Sequence, residues 1–559
     1  MEFPLDNRRL NQEENKRAKA SRHNIKAGNA ATIGAATLIS MIGMLLAKLT
    51  GFMRELLIVP KFGYGLFSDA YVNAFQIPDL IYELLVGGAV AAVLTPHLSS
   101  GIERGREREV WRSVSIFISV ALVATSLTLV IAELLANPLM AMITGNLGKD
   151  IAPEMQKMVT LSVSAMRILL LQTLLMTGIA MCHGILSSYK RFTPIAFGPS
   201  IYNVFYMVAL IVFGAESAEG IRKVSWGVVL AAFIYFLFQS FAARKELFHY
   251  YRFSLDTRDP AFKRLLAMAV PTLLSGSVLH INSIIMNLFA NNLETAGAIT
   301  SIRHCITTWS LPYAIFAVSI GNVMLPNLSG FIASKSDKKV RSLYTSSLRR
   351  ALFYVTPFAL GFFFFNFETI QAIFQWNAET YTDAQVHATG NVLKWFCISM
   401  LAQTAVFITN QAFYARKITR LALFTGLVAM MINPLFLTLY VNVLGKGMEG
   451  IGMAHATYSV LTALFLYRLY VRHRPSQRPY RMFPFFARLF FCGLMTALML
   501  FGLRQLPLYP ANKILQLALY AVKMLLCLYT FYISALSIQM REAVNLQAQI
   551  RRTLGLKPV

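Results

Sequence analysis

Charged residues are scarce in this chain, and acidic ones most of all. Only 14% of its 559 residues are Asp, Glu, Lys or Arg, and 26 acids stand against 52 bases, a net charge of +26. A soluble domain carries roughly 25% charged residues, so the composition excludes a chain that is water-facing throughout. Alternating ten-residue segments are missing, which argues against a transmembrane barrel. The only cysteines are Cys182, Cys305, Cys397, Cys492 and Cys527; all lie in apolar segments and none forms a Cys-x-x-Cys pair. They read as small buried hydrophobes rather than metal or redox groups. No cleavable signal pattern precedes the first apolar run near Ala30, only a polar, basic leader. With no RNA-binding or helix-turn-helix signature, the positive charge does not point to nucleic acid. Loops long enough for a catalytic domain and paired-acid metal motifs are also lacking, which argues for a transporter over a membrane glycosyltransferase or phosphatase.

What the chain does have is apolar length. It is 56% hydrophobic, with mean hydropathy +0.54. Apolar runs long enough to cross a ~30 Å hydrocarbon core as helices recur throughout. They fall at roughly 31–59, 67–98, 113–135, 158–187, 194–213, 224–243, 264–291, 297–330, 350–374, 388–414, 420–443, 449–470, 484–504 and 514–539. The loops alternate in basic content. Arg104, Arg106, Arg108 and Arg112 follow the second span, Lys335 to Arg350 the eighth and Arg468 to Arg481 the twelfth, whereas the loop after the ninth holds only Glu379 and Asp383. This register places both termini in the cytoplasm. The expected class is an all-α integral membrane protein of about fourteen spans. It divides into a basic cytoplasmic leader 1–30, an N-lobe 31–245, a cytoplasmic linker 246–263, a C-lobe 264–471, two further spans in 484–540 and a basic tail 541–559.

The two lobes echo each other. Leu94-Thr95-Pro96-His97-Leu98-Ser99 and Leu325-Pro326-Asn327-Leu328-Ser329 each precede a basic loop, and their prolines are 230 positions apart, as are Asn203 and Asn433. Six spans return the chain to the same side, so the repeats are parallel, related by a pseudo-twofold along the membrane normal, a transporter plan with substrate handled between halves. The last two spans fall outside the repeat.

A Lys or Arg at mid-bilayer costs at least ~2.5–3.5 kcal/mol on insertion scales. Span one nevertheless carries Lys48, Arg54 and Glu55, span two Asp69, Asp79 and Glu83, span four Arg167, and span eight Arg303 and His304. Two readings stay open for each: snorkelling or internal ion pairing, such as Arg54 with Glu55 or Glu83, and a solvated central cavity. The set favours the cavity, with a cationic excess suited to an anionic cargo such as phosphate. For Lys394 and Lys523 snorkelling is the preferred reading. Ile77-Pro78-Asp79 and Gly87-Gly88 interrupt span two, either as a broken helix lining a cavity or as an ordinary proline kink.

Gly51-Phe52-Met53-Arg54-Glu55, Ser68-Asp69-Ala70-Tyr71, Ala74-Phe75-Gln76-Ile77-Pro78-Asp79-Leu80, Gly87-Gly88-Ala89 and Pro96 together resemble the opening of the MurJ (MviN) family. Gly184 to Phe192, His280-Ile281-Asn282, Leu288-Phe289-Ala290, Leu311-Pro312 and Leu325 to Ser329 extend the likeness. The resemblance implies a multidrug/oligosaccharidyl-lipid/polysaccharide exporter fold, with two extra helices forming a groove for a lipid tail. It also implies flipping of lipid II, the undecaprenyl-diphosphate-linked peptidoglycan precursor, across the bacterial cytoplasmic membrane in cell-wall biogenesis. Carried over by position, Lys48 and Arg54 stand at two arginines of the family, Glu55 replaces an Asp, and Asp69 matches an Asp. The family's Arg pair is here Tyr82-Glu83. A further Arg is Thr307, with Arg303 one turn earlier on the same face.

The expectation is therefore a flippase in which Lys48, Arg54 and Arg303 bind the diphosphate. Glu55, Asp69, Asp79, Glu83 and Thr307 are the cavity acids and polar groups, with Arg167 a weaker candidate. No cofactor or metal is expected, and coupling to the membrane potential or a monovalent cation stays open. The implied partners are lipid II or a similar polyprenyl-diphosphate sugar, membrane lipids and the cell-wall synthesis machinery. The alternatives are export of another polyprenyl-linked oligosaccharide and an ion-coupled drug exporter.

Overall fold

The computed structural model describes residues 30–87, 90–148, 152–293, 295–416, 418–473, 476, 479–480, 482–504 and 512–553. The expected leader, Gly88, Ala89 and the last residues of the basic tail lie outside these. Among the described residues the regular structure is helical, with no strand.

The first half runs α1 (Ala30–Leu56), α2 (Ile58–Phe62), α3 (Leu66–Ala74), α4 (Gln76–Leu85), a π-helical turn at Val90–Leu94, α5 (Thr95–Glu103), α6 (Glu107–Leu134), α7 (Ala136–Ile143), α8 (Pro153–Ser188), α9 (Phe192–Phe213), α10 (Ala218–Ala242) and α11 (Arg244–Tyr250). The second half runs α12 (Pro260–Asn291), α13 (Ala298–Pro312), a π-helical turn at Tyr313–Val318, α14 (Ser319–Ala333), α15 (Asp337–Phe364), α16 (Asn366–Phe374), α17 (Asp383–Ala415), α18 (Thr419–Leu437), a π-helical turn at Thr438–Val443 and α19 (Gly447–His473). After it come α20 (Met482–Arg504), α21 (Lys513–Ser537) and the short α22 (Arg541–Thr553).

Helices occupy all fourteen expected positions. Among the described residues nine are long and apolar enough to cross a membrane, or ten if the bent pair α15–α16 is one span. The other four expected spans fall on α1, the broken run 66–103, α12 and α19, which are not among these.

The repeat is written into the helix boundaries. α6 and α15 are both 28 residues long and begin 230 positions apart, at Glu107 and Asp337. α8 and α17 begin at Pro153 and Asp383, at the same offset. α6 and α15 each break at a single residue, Leu135 or Phe365, into a short helix, and the second break bends the chain by 89°. Packing repeats as well. α9 lies on α1 and α10, α10 on α8, and α8 on α3 and α6; correspondingly α18 lies on α12 and α19, α19 on α17, and α17 on α13 and α15.

Lipid is as apolar as Leu, so close packing and hydrogen bonds hold such bundles together. Gly43 of α1 lets the backbone of α9 approach, since a Cβ there would lie 2.7 Å from that of Ala196. The two repeat asparagines do equivalent work. Asn203 of α9 donates to Ala47 O of α1 at 3.1 Å, and Asn433 of α18 donates to Asn282 Oδ1 of α12 at 2.8 Å.

α20 and α21 pack on each other and on α15. Their outer faces suit lipid, with Phe490 73% and Leu525 63% exposed. Lys523 does not snorkel. It is buried, 3.9 Å from the Glu368 carboxylate of α16, because an ammonium far from an interface needs a counter-charge. Lys394 donates to Asn391 at 2.9 Å. All five cysteines are free and buried.

Candidate functional site

A cavity of about 280 Å³ lies in the first half at the end of α1, with Arg303 of the second half completing its wall. Arg54 and Glu55 fall in the last turn of that helix, where its carbonyls favour a cation. Asn203 Oδ1 accepts from Arg54 Nη1 at 3.2 Å, and the Tyr206 ring lies 4.8 Å from its guanidinium carbon. Glu55 is buried and accepts from both halves. Arg54 Nη2 donates to its Oε1 at 2.5 Å, and Arg303 of α13 reaches Oε1 through Nη2 at 2.9 Å and Oε2 through Nε at 3.0 Å. That second contact is a two-pronged fork, the geometry a guanidinium offers to any planar or tetrahedral oxyanion. Arg303 is deep in the molecule, yet its side chain stays 42% accessible, because it forms part of the cavity wall.

Asp79 lines the same cavity, as do Tyr71, Tyr202 and Tyr206. The Tyr71 and Tyr206 hydroxyls meet at 2.5 Å, and Gln172 donates to the Tyr202 hydroxyl at 3.1 Å. The wall thus holds two arginines and two carboxylates. The expected cationic excess is absent in this conformation, because Glu55 stands where an anion would be held. Among the described residues, Arg54 Nε is buried without an acceptor.

Other polar bonds close the seam between halves along spans one, two, seven and eight. Asp69 caps α13, accepting from Gly297 N at 2.8 Å, Thr300 N at 2.9 Å and Thr300 Oγ1 at 2.6 Å. Asn73 donates to Asn291 at 2.9 Å, and Tyr64 meets Ser301 at 2.5 Å. Glu83 lies 3.6 Å from His280 of α12.

Of the residues singled out in the sequence, Arg54, Glu55, Asp79 and Arg303 come together at the cavity. Lys48 does not. It lies two turns nearer the helix start on Glu55's face, exposed and outside the cavity wall. Asp69 is not a cavity acid, because its oxygens are spent on the α13 N-terminus. Glu83 faces His280 rather than the cavity. Thr307 is half-buried and away from the wall. Arg167 pairs with Glu133 at 3.5 Å, each side chain 46% exposed, on the outside of the first half.

Sequence reasoning overlooked the tyrosines and the role of Asn203 in holding Arg54. Tyr202 and Tyr206 one turn apart in an apolar span, beside the repeat-marking Asn203, were the available signal.

Comparison with known proteins agrees with this architecture. The family model described as lipid II flippase MurJ matches residues 58–517. A protein of Rhizobium tropici named probable lipid II flippase MurJ is 27% identical over 448 residues, covering 78% of this chain and 79% of its own length. The lipid II flippase MurJ of Burkholderia cenocepacia is 24% identical over 463 residues, covering 82% and 87%. A solved structure of lipid II flippase MurJ in an inward closed conformation superposes with TM-score 0.73 at 18% identity, over 91% of this chain and all of that one. An inward-facing MATE transporter of the MOP superfamily gives 0.65 at 13% identity, over 79% and 99%. With a family model spanning most of its length and the same helical architecture in a solved member, the chain belongs to the lipid II flippase MurJ family.

Proposed function

We propose that this protein moves lipid II from the inner to the outer leaflet of the bacterial cytoplasmic membrane by alternating access, with both termini in the cytoplasm. One observation carries the residue assignment: an arginine from each half, Arg54 and Arg303, converges on a single carboxylate at the wall of one cavity. A diphosphate, like Glu55, offers pairs of anionic oxygens to a guanidinium fork, so when Glu55 gives way it takes the two guanidinium groups. The cavity is smaller than the ~300–1,000 Å³ usual for small-ligand pockets, so the sugar-peptide head enters only in a more open state. The polyprenyl chain stays in lipid, beside α20 and α21.

The test is lipid II translocation in vesicles, together with rescue of cells depleted of their own flippase. Each charge-assisted contact is worth about 1.5–3 kcal/mol. Arg54→Ala and Arg303→Ala should each therefore lower the translocation rate roughly 10–100-fold. Native rates in both variants would remove the two-arginine clamp.

A further inference from the structure

Two titratable groups outside the arginine cluster, Glu83 and His280, face each other across the seam, and Asp79 of the cavity wall lies next to them in the chain order of α4. Asp79 and Glu83 sit one turn apart on α4, and His280 of α12 places Nε2 3.6 Å from Glu83 Oε1. Glu83 is 26% and His280 39% accessible, and Asp79 opens into the central cavity, so water and protons reach the group. The backbone is shaped for it. Gly87, one turn past Glu83, is buried, and a Cβ there would collide with the Glu83 carboxylate. Only glycine lets that side chain fold back to its place.

The charged surroundings are simple. From α4, Glu83 meets His280, and Asp79 shares the cavity wall with Arg303 of α13 and Arg54 of α1. α18 and α19 present the uncharged Asn433 and Tyr458, both bonded to Asn282. A neutral imidazole here would leave Glu83 without this counter-charge, whereas an imidazolium pairs with its carboxylate.

We propose that His280, Glu83 and Asp79 form a proton-binding site that couples protonation to closure of the two halves. The partners lie on opposite sides of the seam, so the site exists only while the seam is closed, and parting the halves releases the proton through the cavity. The closed state then binds one more proton than the open state. By linkage its population rises as pH falls through the range where His titrates, and falls as pH rises. One linked proton shifts the closed-to-open ratio by at most about tenfold per pH unit.

This deepens the carrier reading but is tested without lipid II. Spin labels would be placed on engineered cysteines, one on the outer face of each half, in nanodiscs holding the full chain; the five native cysteines are buried. Distance distributions would be measured by electron–electron resonance from about pH 5 to about pH 8. The expected result is a several-fold rise in the closed population at the acid end, lost in both His280→Gln and Glu83→Gln. Both replacements keep hydrogen-bonding capacity, and thermal melting confirms that each variant is folded. A native chain with no pH-dependent shift, or a folded His280→Gln that keeps the native shift, would overturn the proposal. A shift in distance alongside absent lipid II transport would leave this site standing and sink the cargo assignment instead.

Discussion

At the scale of single residues, a carboxylate can look the same in sequence and do opposite things. Glu55 and Asp69 both read as acids in apolar spans. Glu55 bridges two arginines, whereas Asp69 is spent on three donors at the start of α13. Removing it leaves buried N–H groups unsatisfied at a helix N-terminus, where a cap is worth ~1 kcal/mol and each buried orphan costs ~1–3 kcal/mol. Asp69→Ala should therefore lose at least about 2 kcal/mol, read as a lower denaturation midpoint in detergent. An unchanged midpoint would mean the cap bears no weight. Arg54, Glu55 and Arg303 were legible because an unpaired charge in hydrocarbon is costly, so each announces a partner or water. Which partner was not legible, since Glu55 and Arg303 are 248 positions apart.

At the scale of helices, the sequence marked nearly every element. Apolar runs end where basic loops, Pro or capping residues begin: Pro153 and Pro260 open their helices, and Asp259 and Ser217 cap theirs. The breaks were less legible. Ile77-Pro78-Asp79 and Gly87 flagged span two, but nothing local marked the bend of 89° after Phe364, beyond which α16 packs on α17 and α21. Close helix approach is also a tertiary matter. Gly43 admits Ala196, and α1 held against α9 is what keeps Asn203 on Arg54. Gly43→Leu should wedge these helices apart and lower both the melting midpoint and the translocation rate. Overpacking of this kind costs ~1–3 kcal/mol. Native melting with native transport would show that this contact does not set the site.

At the scale of the whole molecule, function needs the halves to separate. Asn73 and Asn291 are buried against each other at the seam. Cysteines at both positions joined by a short thiol cross-linker should stop lipid II translocation, and a reducible linker should restore it on reduction. Continued transport in the cross-linked protein would rule out rocking of the halves about this seam. Charge patterning, span positions and the 230-residue repeat were all determined by the sequence alone, because each is a property of composition or of fixed offsets along one chain. The pairing of charges was decided only in three dimensions. The two lobes meet along spans one, two, seven and eight, and that meeting turned an expected cationic chamber into a balanced one, gave Asp69 to a helix end and set Glu83 against His280. The physical reason is that a buried charge takes the nearest counter-charge in space, and nearness across a seam between distant segments is written in no local stretch of chain.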